Sequence, residues 1–255
     1  MRIRPLILSL IVWIGIAAPS GAQYSKPELS PLGVRIQAAL DSELRTDAER
    51  ARDKNRKPIA TLEFFGLRED MRVLELVPGG GWYTKVLAPV LREEGKLTVA
   101  LGAQGVEKLL GEQPFSKIEI LGTPFPNNRV GRRYEASSLD LGSADFDLAL
   151  TFRNLHNFTE TGRRAINQAT FDALVPGGAY GVVDHTRRHM QGESPENGRR
   201  VDPVSMIHEI ESVGFRFEGF SDLHYRADDE LRYEVGRRSV SGNTDRFTLL
   251  FRKPE

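Results

Sequence analysis

The chain has 255 residues, of which 35 are Lys or Arg and 35 are Asp or Glu, so its formal net charge at pH 7 is zero. A general nucleic-acid-binding protein would carry a basic excess on one face, and this balance argues against that class. The apolar content of 40% is ordinary for one globular domain with a full core. Because the sequence holds no cysteine, disulfides and a cysteine nucleophile are excluded.

Residues 1–22 have the layout of a secretory signal peptide. Arg2 and Arg4 form a basic start, residues 6–18 are apolar, and small residues at 20–22 precede Gln23. The apolar run is shorter than the roughly 20 residues that a membrane-spanning helix needs, and an uncleaved anchor is the alternative. The sequence therefore predicts a periplasmic or secreted protein with no stable membrane insertion after cleavage.

Residues 23–66 predict a helical extension in front of the main domain. A polar connector precedes apolar residues at helical spacing between 32 and 44. Thr46 or Asp47 is suited to cap a second helix that runs to about residue 56. Pro58 is suited to begin a third helix, which ends at Gly66.

Strands alternate with helices through the main domain, residues 67–255. The seven predicted strands lie at residues 71–77, 96–101, 117–121, 146–152, 179–184, 215–220 and 247–252. The predicted helices lie at residues 82–91, 106–110, 161–174 and 203–213. This alternation predicts an α/β fold: a Rossmann-like, doubly wound, mostly parallel seven-stranded sheet with helices on both faces. Residues 124–133 and 186–202 are predicted loops, and the charged segment 221–245 is an insertion or a lid.

The end of the first strand carries the strongest signal for a ligand. Val77 and Pro78 lead into Gly79, Gly80 and Gly81, and a helix follows. Glycines lack the Cβ atoms that keep a ligand away from the backbone, and they allow positive φ. A helix start offers unpaired N–H groups to an anionic group. Because ligands of open α/β sheets lie at the carboxyl ends of the strands, this turn predicts a nucleotide-type pocket, with an unliganded tight turn as the alternative.

The ordered motifs resemble class I S-adenosylmethionine-dependent methyltransferases, and more narrowly a family of exported bacterial proteins described as methyltransferases. The resemblance covers residues 46–254, and its segments are ARDKNRKP at 51–58, LEFFGL at 62–67, VLELVPGGGWYT at 73–84, FRNLHNF at 152–158, LVPGGAYGVVDH at 174–185 and GRRVDP at 198–203. It implies a class I methyltransferase-like domain at 67–255, S-adenosyl-L-methionine as the cofactor and a small molecule as the substrate.

The resemblance also implies cofactor-binding residues. The backbone of residues 78–81 would pass beside the methionine part of the cofactor, and Glu75 would lie near its ammonium group. Val77 stands where such enzymes have their first glycine. The second strand lacks the acid that holds the ribose hydroxyls, and Gln104 is the neutral substitute. Loss of a charge-assisted hydrogen bond costs about 1.5–3 kcal/mol, and the same missing acid argues against a nicotinamide dehydrogenase.

Aromatic residues follow the glycines directly. The ring faces of Trp82 and Tyr83 would attract a cationic sulfonium by about 0.5–2 kcal/mol. The alternative is that Trp82 packs the helix against the sheet.

Candidate catalytic residues follow the fourth and fifth strands. Asn154 can orient a substrate, and His156 is a candidate base because an unperturbed imidazole titrates near neutral pH. A buried or helix-capping histidine is the alternative for His156. His185 is a second candidate. His185 and His189 would share a face only if this stretch were helical, and Asp184 could add a carboxylate. The glycines and the proline that follow favour a loop, so no metal is predicted.

The basic group at residues 52–57, which includes Arg52 and Arg56, would cover the cofactor or hold a carboxylate, or it is a charged helix face. Arg200 and Asp202 form an ion pair or face the substrate.

Three functions are open. The first is methyl transfer from S-adenosylmethionine to a small molecule. The second is a non-catalytic exported ligand-binding protein on the same scaffold. Two departures from the methyltransferase pattern, the missing acid of the second strand and Val77, favour this second function. The export signal favours it too, because the methyl donor is made in the cytoplasm. The third is a lyase or hydrolase with His156 or His185 as base.

Overall fold

The computed structural model describes residues 28–142 and 144–255. The predicted signal peptide, residues 1–22, lies outside the described residues and stays a prediction. Within the described part of the chain, no helix has both the length and the apolar character that crossing a membrane requires.

A seven-stranded sheet confirms the predicted fold class, and each of its strands overlaps a predicted one. The strands in chain order are β1 (Arg72–Leu76), β2 (Lys96–Ala100), β3 (Glu119–Ile120), β4 (Arg129–Val130), β5 (Arg133–Tyr134), β6 (Phe146–Phe152), β7 (Leu174–His185), β8 (Arg216–Ser221) and β9 (Arg246–Arg252). The sheet order is β3-β2-β1-β6-β7-β9-β8, and β4 and β5 form a separate hairpin. The first five strands of the sheet are parallel, and β9 runs antiparallel to β7 and β8. The carboxyl ends of β2, β1 and β6 therefore meet at one edge.

Eight α-helices accompany the strands in the described residues. They are α1 (Pro31–Leu40), α2 (Asp47–Arg50), α3 (Asp53–Arg56), α4 (Pro58–Phe64), α5 (Thr84–Leu91), α6 (Gln104–Glu107), α7 (Glu160–Ala173) and α8 (Pro203–Glu211). Side-chain caps begin several of them: Thr159 accepts a hydrogen bond from the Gly162 N–H at the start of α7, and Asp202 accepts one from the Val204 N–H at the start of α8.

Two apolar cores lie on opposite faces of the sheet. Along the central strand β1, Val73 belongs to one core, while Leu74 and Leu76 belong to the other. This split follows from the two-residue period of a strand. The first core also contains residues of α1, α4 and α5, and the second contains residues of α7 and α8. The N-terminal helices thus share a core with the sheet, and the domain boundary at residue 66 stays a prediction.

The second predicted helix, from residue 46 or 47 to 56, is broken into α2 and α3. The break lies beside the Glu49 carbonyl, which accepts hydrogen bonds from Trp82 Nε1 at 3.0 Å and from the Arg52 N–H at 3.1 Å. The first helix ends at Leu40 rather than 44. There the buried Arg45 guanidinium donates to the Leu40 carbonyl at 2.8 Å.

Two predicted connections also differ from the structure, and the insertion or lid at 221–245 stays a prediction. The predicted loop at 124–133 contains the β4–β5 hairpin, whose strands of two residues are too short to show a period. The strand β7 begins at Leu174, and the register jump between Phe146 and Leu148 on β6 shows that residues 175–178 bulge out of it. The segment 221–245 is packed down by the buried Arg200–Asp229 ion pair, with 2.9 Å between N and O.

Candidate functional site

Backbone strain marks the edge where three adjacent strands end. Val77 follows β1, Leu101 follows β2 and Arg153 follows β6, with φ of 52°, 62° and 61° respectively. Side chains rarely adopt this left-handed region, least of all a β-branched one such as Val77. Each such residue costs about 1–3 kcal/mol, and such strain concentrates at functional sites. Val77 thus adopts a glycine-like conformation where a glycine was expected.

A cavity of about 290 Å³ opens at this edge and is called the first cavity below. It is bounded by the end of β1 and the turn after it, by the segment around α2 and α3, and by the residues that follow β6. Its lining comprises Glu49, Arg52, Arg56, Glu75, Val77, Pro78, Gly79, Gly80, Trp82, Tyr83, Phe152, Arg153 and Asn154. The structure therefore brings together seven of the predicted site residues: Glu75, Pro78, Gly79, Gly80, Trp82, Tyr83 and Asn154.

Glu75 lies at the buried base of the first cavity. Thr84 Oγ1 donates to Glu75 Oε2 at 2.6 Å, and no other hydrogen bond to its side chain is found among the described residues. Burial raises the pKa of Glu75 to about 7, against the opposing effects of the Thr84 hydrogen bond and the Arg56 charge. A cationic group in the cavity would stabilise the ionised form of this carboxyl group.

The three glycines of the turn after β1 differ in backbone conformation and in surroundings. Gly79 and Gly81 have φ of 59° and 77°, which glycine adopts without strain. Gly80 has open space around it. Gly81 does not line the first cavity. A glycine that the sequence did not single out is the most constrained: a Cβ on Gly105, at the start of α6, would lie 2.0 Å from the Gly79 carbonyl oxygen.

We expect Gly105→Ala to lower the free energy of unfolding by about 3 kcal/mol, at the upper end for an overpacked site, because the obstacle is backbone. In an unconstrained helix the same change would stabilise by about 1 kcal/mol. Urea denaturation measures the difference, and Gly80→Ala is the matched control, expected to match the wild type. A Gly105→Ala protein as stable as the wild type would contradict the close approach of α6.

The two aromatic residues after the glycine turn, Trp82 and Tyr83, are covered by other side chains. The Arg56 guanidinium carbon lies 4.3 Å from the Trp82 ring centroid, and that of Arg45 lies 4.9 Å from it. The Tyr83 ring stacks on Phe152 with centroids 3.5 Å apart. The cations over these rings are therefore the chain's own guanidinium groups, and Trp82 packs α5 against the N-terminal segment.

Gln104 does not line the first cavity, and its side chain is exposed. The end of β2 next to it carries no acid, as the sequence indicated. Phe125 instead lies over Gly102, where an added Cβ would be 3.2 Å from the ring. The first cavity therefore lies at the end of β1, and Gln104 is not part of its lining. The role of Gln104 in binding a ribose stays a prediction.

Guanidinium groups gather around the first cavity. Arg52 and Arg56 come from the N-terminal segment and Arg153 follows β6, and all three line the cavity. Arg246, at the start of β9, lies behind them and acts on the pKa of Arg56. The sequence indicated the first two through the basic group at 52–57, but no local signal pointed to Arg246. Lys54 and Lys57 are exposed and do not line the cavity.

Two predicted site residues, Asn154 and His156, lie on the segment after β6. Asn154 Nδ2 donates to the Val77 carbonyl at 3.0 Å and so ties this segment to the strained turn. His156 is buried, and its Nδ1 lies 2.5 Å from Asp184 Oδ1. The Asp184 carboxylate also accepts the His156 N–H at 3.0 Å and the His185 N–H at 2.7 Å. Because Asp184 occupies Nδ1, Nε2 is the nitrogen that His156 offers to a ligand.

His156 lines a second cavity, of about 490 Å³, together with Asn157. Four charged residues of this second cavity form two ion pairs, while Arg132 is exposed. Arg133 lies 2.8 Å from Glu193, and Arg199 forms an ion pair with Glu234. Consecutive residues of one segment therefore line both cavities, 153–154 the first and 156–157 the second.

His185 lines neither of these two cavities. Its Nδ1 lies 2.9 Å from Thr244 Oγ1, and its ring centroid lies 5.3 Å from that of His156. Burial lowers the pKa of His185 well below its usual range, and the charges of His156, Arg246, Arg153 and Arg200 lower it further. His185 is therefore a neutral residue behind His156.

The possible metal ligands are grouped differently from the sequence expectation. Ligand atoms of His156, Asp184 and His185 lie within 4.8 Å of one another. His189 is not among them, because its Nδ1 bonds to Asp202 at 2.9 Å. A divalent cation would meet the same guanidinium charges that disfavour protonation of His185. The prediction of no metal stays a prediction.

The chain matches no protein-family model and no curated protein by sequence. Several solved structures share its fold. An S-adenosylmethionine-dependent methyltransferase from Aquifex aeolicus is 16% identical, with 86% of this chain and 97% of that chain covered and a TM-score of 0.55. The [4+2]-cyclase SpnF is 15% identical, with 88% and 93% covered and a TM-score of 0.51. Human N-acetylserotonin methyltransferase in complex with S-adenosylmethionine is 16% identical, with 88% and 57% covered and a TM-score of 0.50.

At these identities the likeness concerns the fold. Two of the three proteins are methyltransferases by name, and the third is a cyclase, so the shared architecture does not by itself assign an activity. The chain has the Rossmann-like fold of S-adenosylmethionine-dependent methyltransferases.

Proposed function

We propose that this protein is an S-adenosylmethionine-dependent methyltransferase that acts on a small molecule. The observation that carries the proposal is the buried Glu75 carboxyl group at the base of an open cavity, directly before the glycine turn. The carboxyl group has one hydrogen-bonding side-chain partner, Thr84, and burial raises its pKa to about 7 because it outweighs that bond and the charge of Arg56. An ammonium group would supply that cation.

The residues of the first cavity fit the methionine end of this compound. Glu75 is suited to bind its ammonium group, and the turn at residues 78–81 presents backbone free of side chains at Gly79 and Gly80. An arginine of the cavity is suited to bind its carboxylate. When bound, S-adenosylmethionine supplies a methyl group on a positively charged sulfur. The protein contributes chiefly by holding donor and acceptor at about 3–3.5 Å, in line for the transfer.

His156 is suited to accept the proton of the methyl acceptor. Asp184 fixes the tautomer and the orientation of the imidazole, which leaves Nε2 as the base. We place the acceptor at the end of β6, because that segment lines both cavities. Membership of the exported family and a periplasmic or secreted location, both based on the sequence alone, belong to the same proposal.

The second candidate is a non-catalytic exported ligand-binding protein on this scaffold. The end of β2 carries no acid, which favours this candidate because the ribose of a nucleoside ligand would lose a charge-assisted hydrogen bond there. Calorimetric titration of the mature chain with S-adenosylmethionine and S-adenosylhomocysteine separates the two functions. Binding of both compounds supports the methyltransferase, and no heat at millimolar ligand contradicts it.

The raised pKa of Glu75 predicts how that affinity depends on pH. At about pH 5.5 most molecules carry a neutral Glu75, and the ionised fraction grows as the pH approaches 7, so the affinity for S-adenosylhomocysteine should rise about tenfold over this interval. Glu75→Gln should weaken binding at pH 7 and remove the rise. Glu94→Gln, at an exposed position, is the control and should keep both. An unchanged pH profile in Glu75→Gln would show that Glu75 does not face the ammonium group.

A further inference from the structure

The arginines around the first cavity have no ion-pair contact among the described residues, although the charge of Asp184 opposes the lowering of the Arg153 pKa. Arg52, Arg56, Arg153 and Arg246, called the arginine cluster below, form no ion pair within residues 28–142 and 144–255. The acids beside them serve other groups. Glu49 pairs with Lys85 at 3.0 Å, Glu75 bonds to Thr84, and Asp184 bonds to His156.

Hydrogen bonding leaves three of these guanidinium groups partly unsatisfied, although Arg246 Nη1 donates to the Asn55 carbonyl at 2.9 Å. Arg56 is only 8% exposed, yet its side chain donates no hydrogen bond to a described residue and rests on the Trp82 ring instead. The Nε atoms of Arg153 and Arg246 are buried without an acceptor. Buried charges are normally paired, because transfer from water is costly. In the second cavity, the less exposed Arg133 has a glutamate partner, as does Arg199, and only the exposed Arg132 is without an ion pair among the described residues.

The pKa values of these arginines also indicate that an anion is missing beside them. Burial first, and then the charges of Arg153, Arg52 and Arg246, lower the pKa of Arg56 to about 9, against the opposing effect of Tyr83. The pKa of Arg246 falls to about 10 for the same reasons, burial first and then the charge of Arg153. A bound anion would oppose each of these effects.

The methyl donor alone does not supply the missing negative charge. Its amino-acid end carries one ammonium and one carboxylate group, and its sulfonium adds a further positive charge. The carboxylate can occupy one guanidinium in a bidentate pair. The remaining arginines of the cluster would then face the sulfonium without an anion.

We propose that the arginine cluster binds the carboxylate or phosphate group of the small molecule that is methylated, so that the acceptor is an anion. Identifying this ligand as the acceptor rests on the proposed methyltransferase function, whereas the anion site itself does not. Arg153 is central to the site because it lines the first cavity and begins the segment that leads to His156.

The test uses inorganic phosphate as the probe and thermal unfolding of the mature chain as the readout. Phosphate should raise Tm above the value in sodium chloride of equal ionic strength, with the protein both free and saturated with S-adenosylhomocysteine. Arg153→Met should weaken phosphate binding at least tenfold. Without phosphate, the same variant should unfold a few degrees higher than the wild type, because an uncompensated charge is removed. Arg238→Met, at an exposed position, should behave as the wild type.

Equal Tm in phosphate and chloride, or a phosphate effect that survives in Arg153→Met, would overturn the anion site. A phosphate effect that S-adenosylhomocysteine abolishes would assign the arginines to the donor carboxylate and overturn the acceptor assignment. Binding of S-adenosylhomocysteine without a phosphate effect would remove this inference and keep the methyltransferase. A phosphate effect without that binding would remove the methyltransferase and keep the anion site.

Discussion

His156→Gln is expected to lower methyl-transfer turnover by about 10²–10⁴-fold, the usual contribution of a positioned base. Glutamine keeps much of the volume and a hydrogen-bonding group but cannot accept a proton at neutral pH. Affinity for S-adenosylhomocysteine should change little, because His156 does not line the first cavity. The measurement is conversion of S-adenosylmethionine to S-adenosylhomocysteine, with the hydroxy or phenolic carboxylic acid that the wild type methylates fastest.

Two further variants separate the base from a structural histidine. Asp184→Asn should also lower turnover, because the imidazole loses the carboxylate that holds its tautomer. His208→Gln, on the exposed face of α8, should leave turnover unchanged. If His156→Gln instead keeps its turnover, the imidazole is a packing residue and the acceptor ionises without it.

Asp229→Asn is expected to lower the free energy of unfolding by about 3–5 kcal/mol, the cost of leaving one member of a buried ion pair unpaired. Arg200 and Asp229 have side-chain exposures of 0% and 1%, and two N–O contacts of 2.9 and 3.0 Å join them. Arg200 also donates to the Tyr233 carbonyl at 2.7 Å, so the pair fastens the segment 221–245. Differential scanning calorimetry should show a Tm lower by about 6–20 °C, at 2–4 °C per kcal/mol for a chain of this size.

The exposed pair Arg252–Glu218 provides the matched control. Its contact of 2.7 Å is shorter than that of the buried pair, but its side chains are 43% and 42% exposed. Water and salt weaken such pairs, so Glu218→Gln should cost at most about 1 kcal/mol. Equal losses in the two variants would show that burial does not determine the strength of the Arg200–Asp229 pair.

Local sequence patterns predicted the longer helices and strands of the main domain well. The apolar run before Pro78 is the strand β1, and the helix predicted from residue 203 is α8. The cap of α8, Asp202, was predicted instead to pair with Arg200 or to face the substrate. The same patterns failed where side chains from elsewhere intervene. Trp82 reaches back to the Glu49 carbonyl, and the helix expected through residue 56 breaks there. The two-residue strands of the β4–β5 hairpin were missed because they contain no full period.

The candidate site divides in the same way. The position of the pocket was predictable, because a glycine turn after a strand is a local signal and parallel strands end at one edge. The charge of the pocket and the close packing around it could not be predicted from the sequence. Gly105 gave no such signal, and its necessity comes from the Gly79 carbonyl that α6 packs against. Likewise, the sequence places Asp184 near His185 and His189, and only the packing of β7 beside β6 joins it to His156.

The sequence alone predicted the alternation of strands and helices, the glycine turn and the glutamate before that turn. Each of these features depends on residues that are close together in the chain, because the period of a helix or a strand and the positive φ of a turn are local properties. Tertiary structure decided the charge of the pocket. Arg56, Arg153 and Arg246 are far apart in the chain, and each alone resembles an ordinary solvated arginine. Their effect depends on their lying together, Arg56 and Arg246 buried and Arg153 half-buried, since the cost of a charge is set by the groups and the water around it.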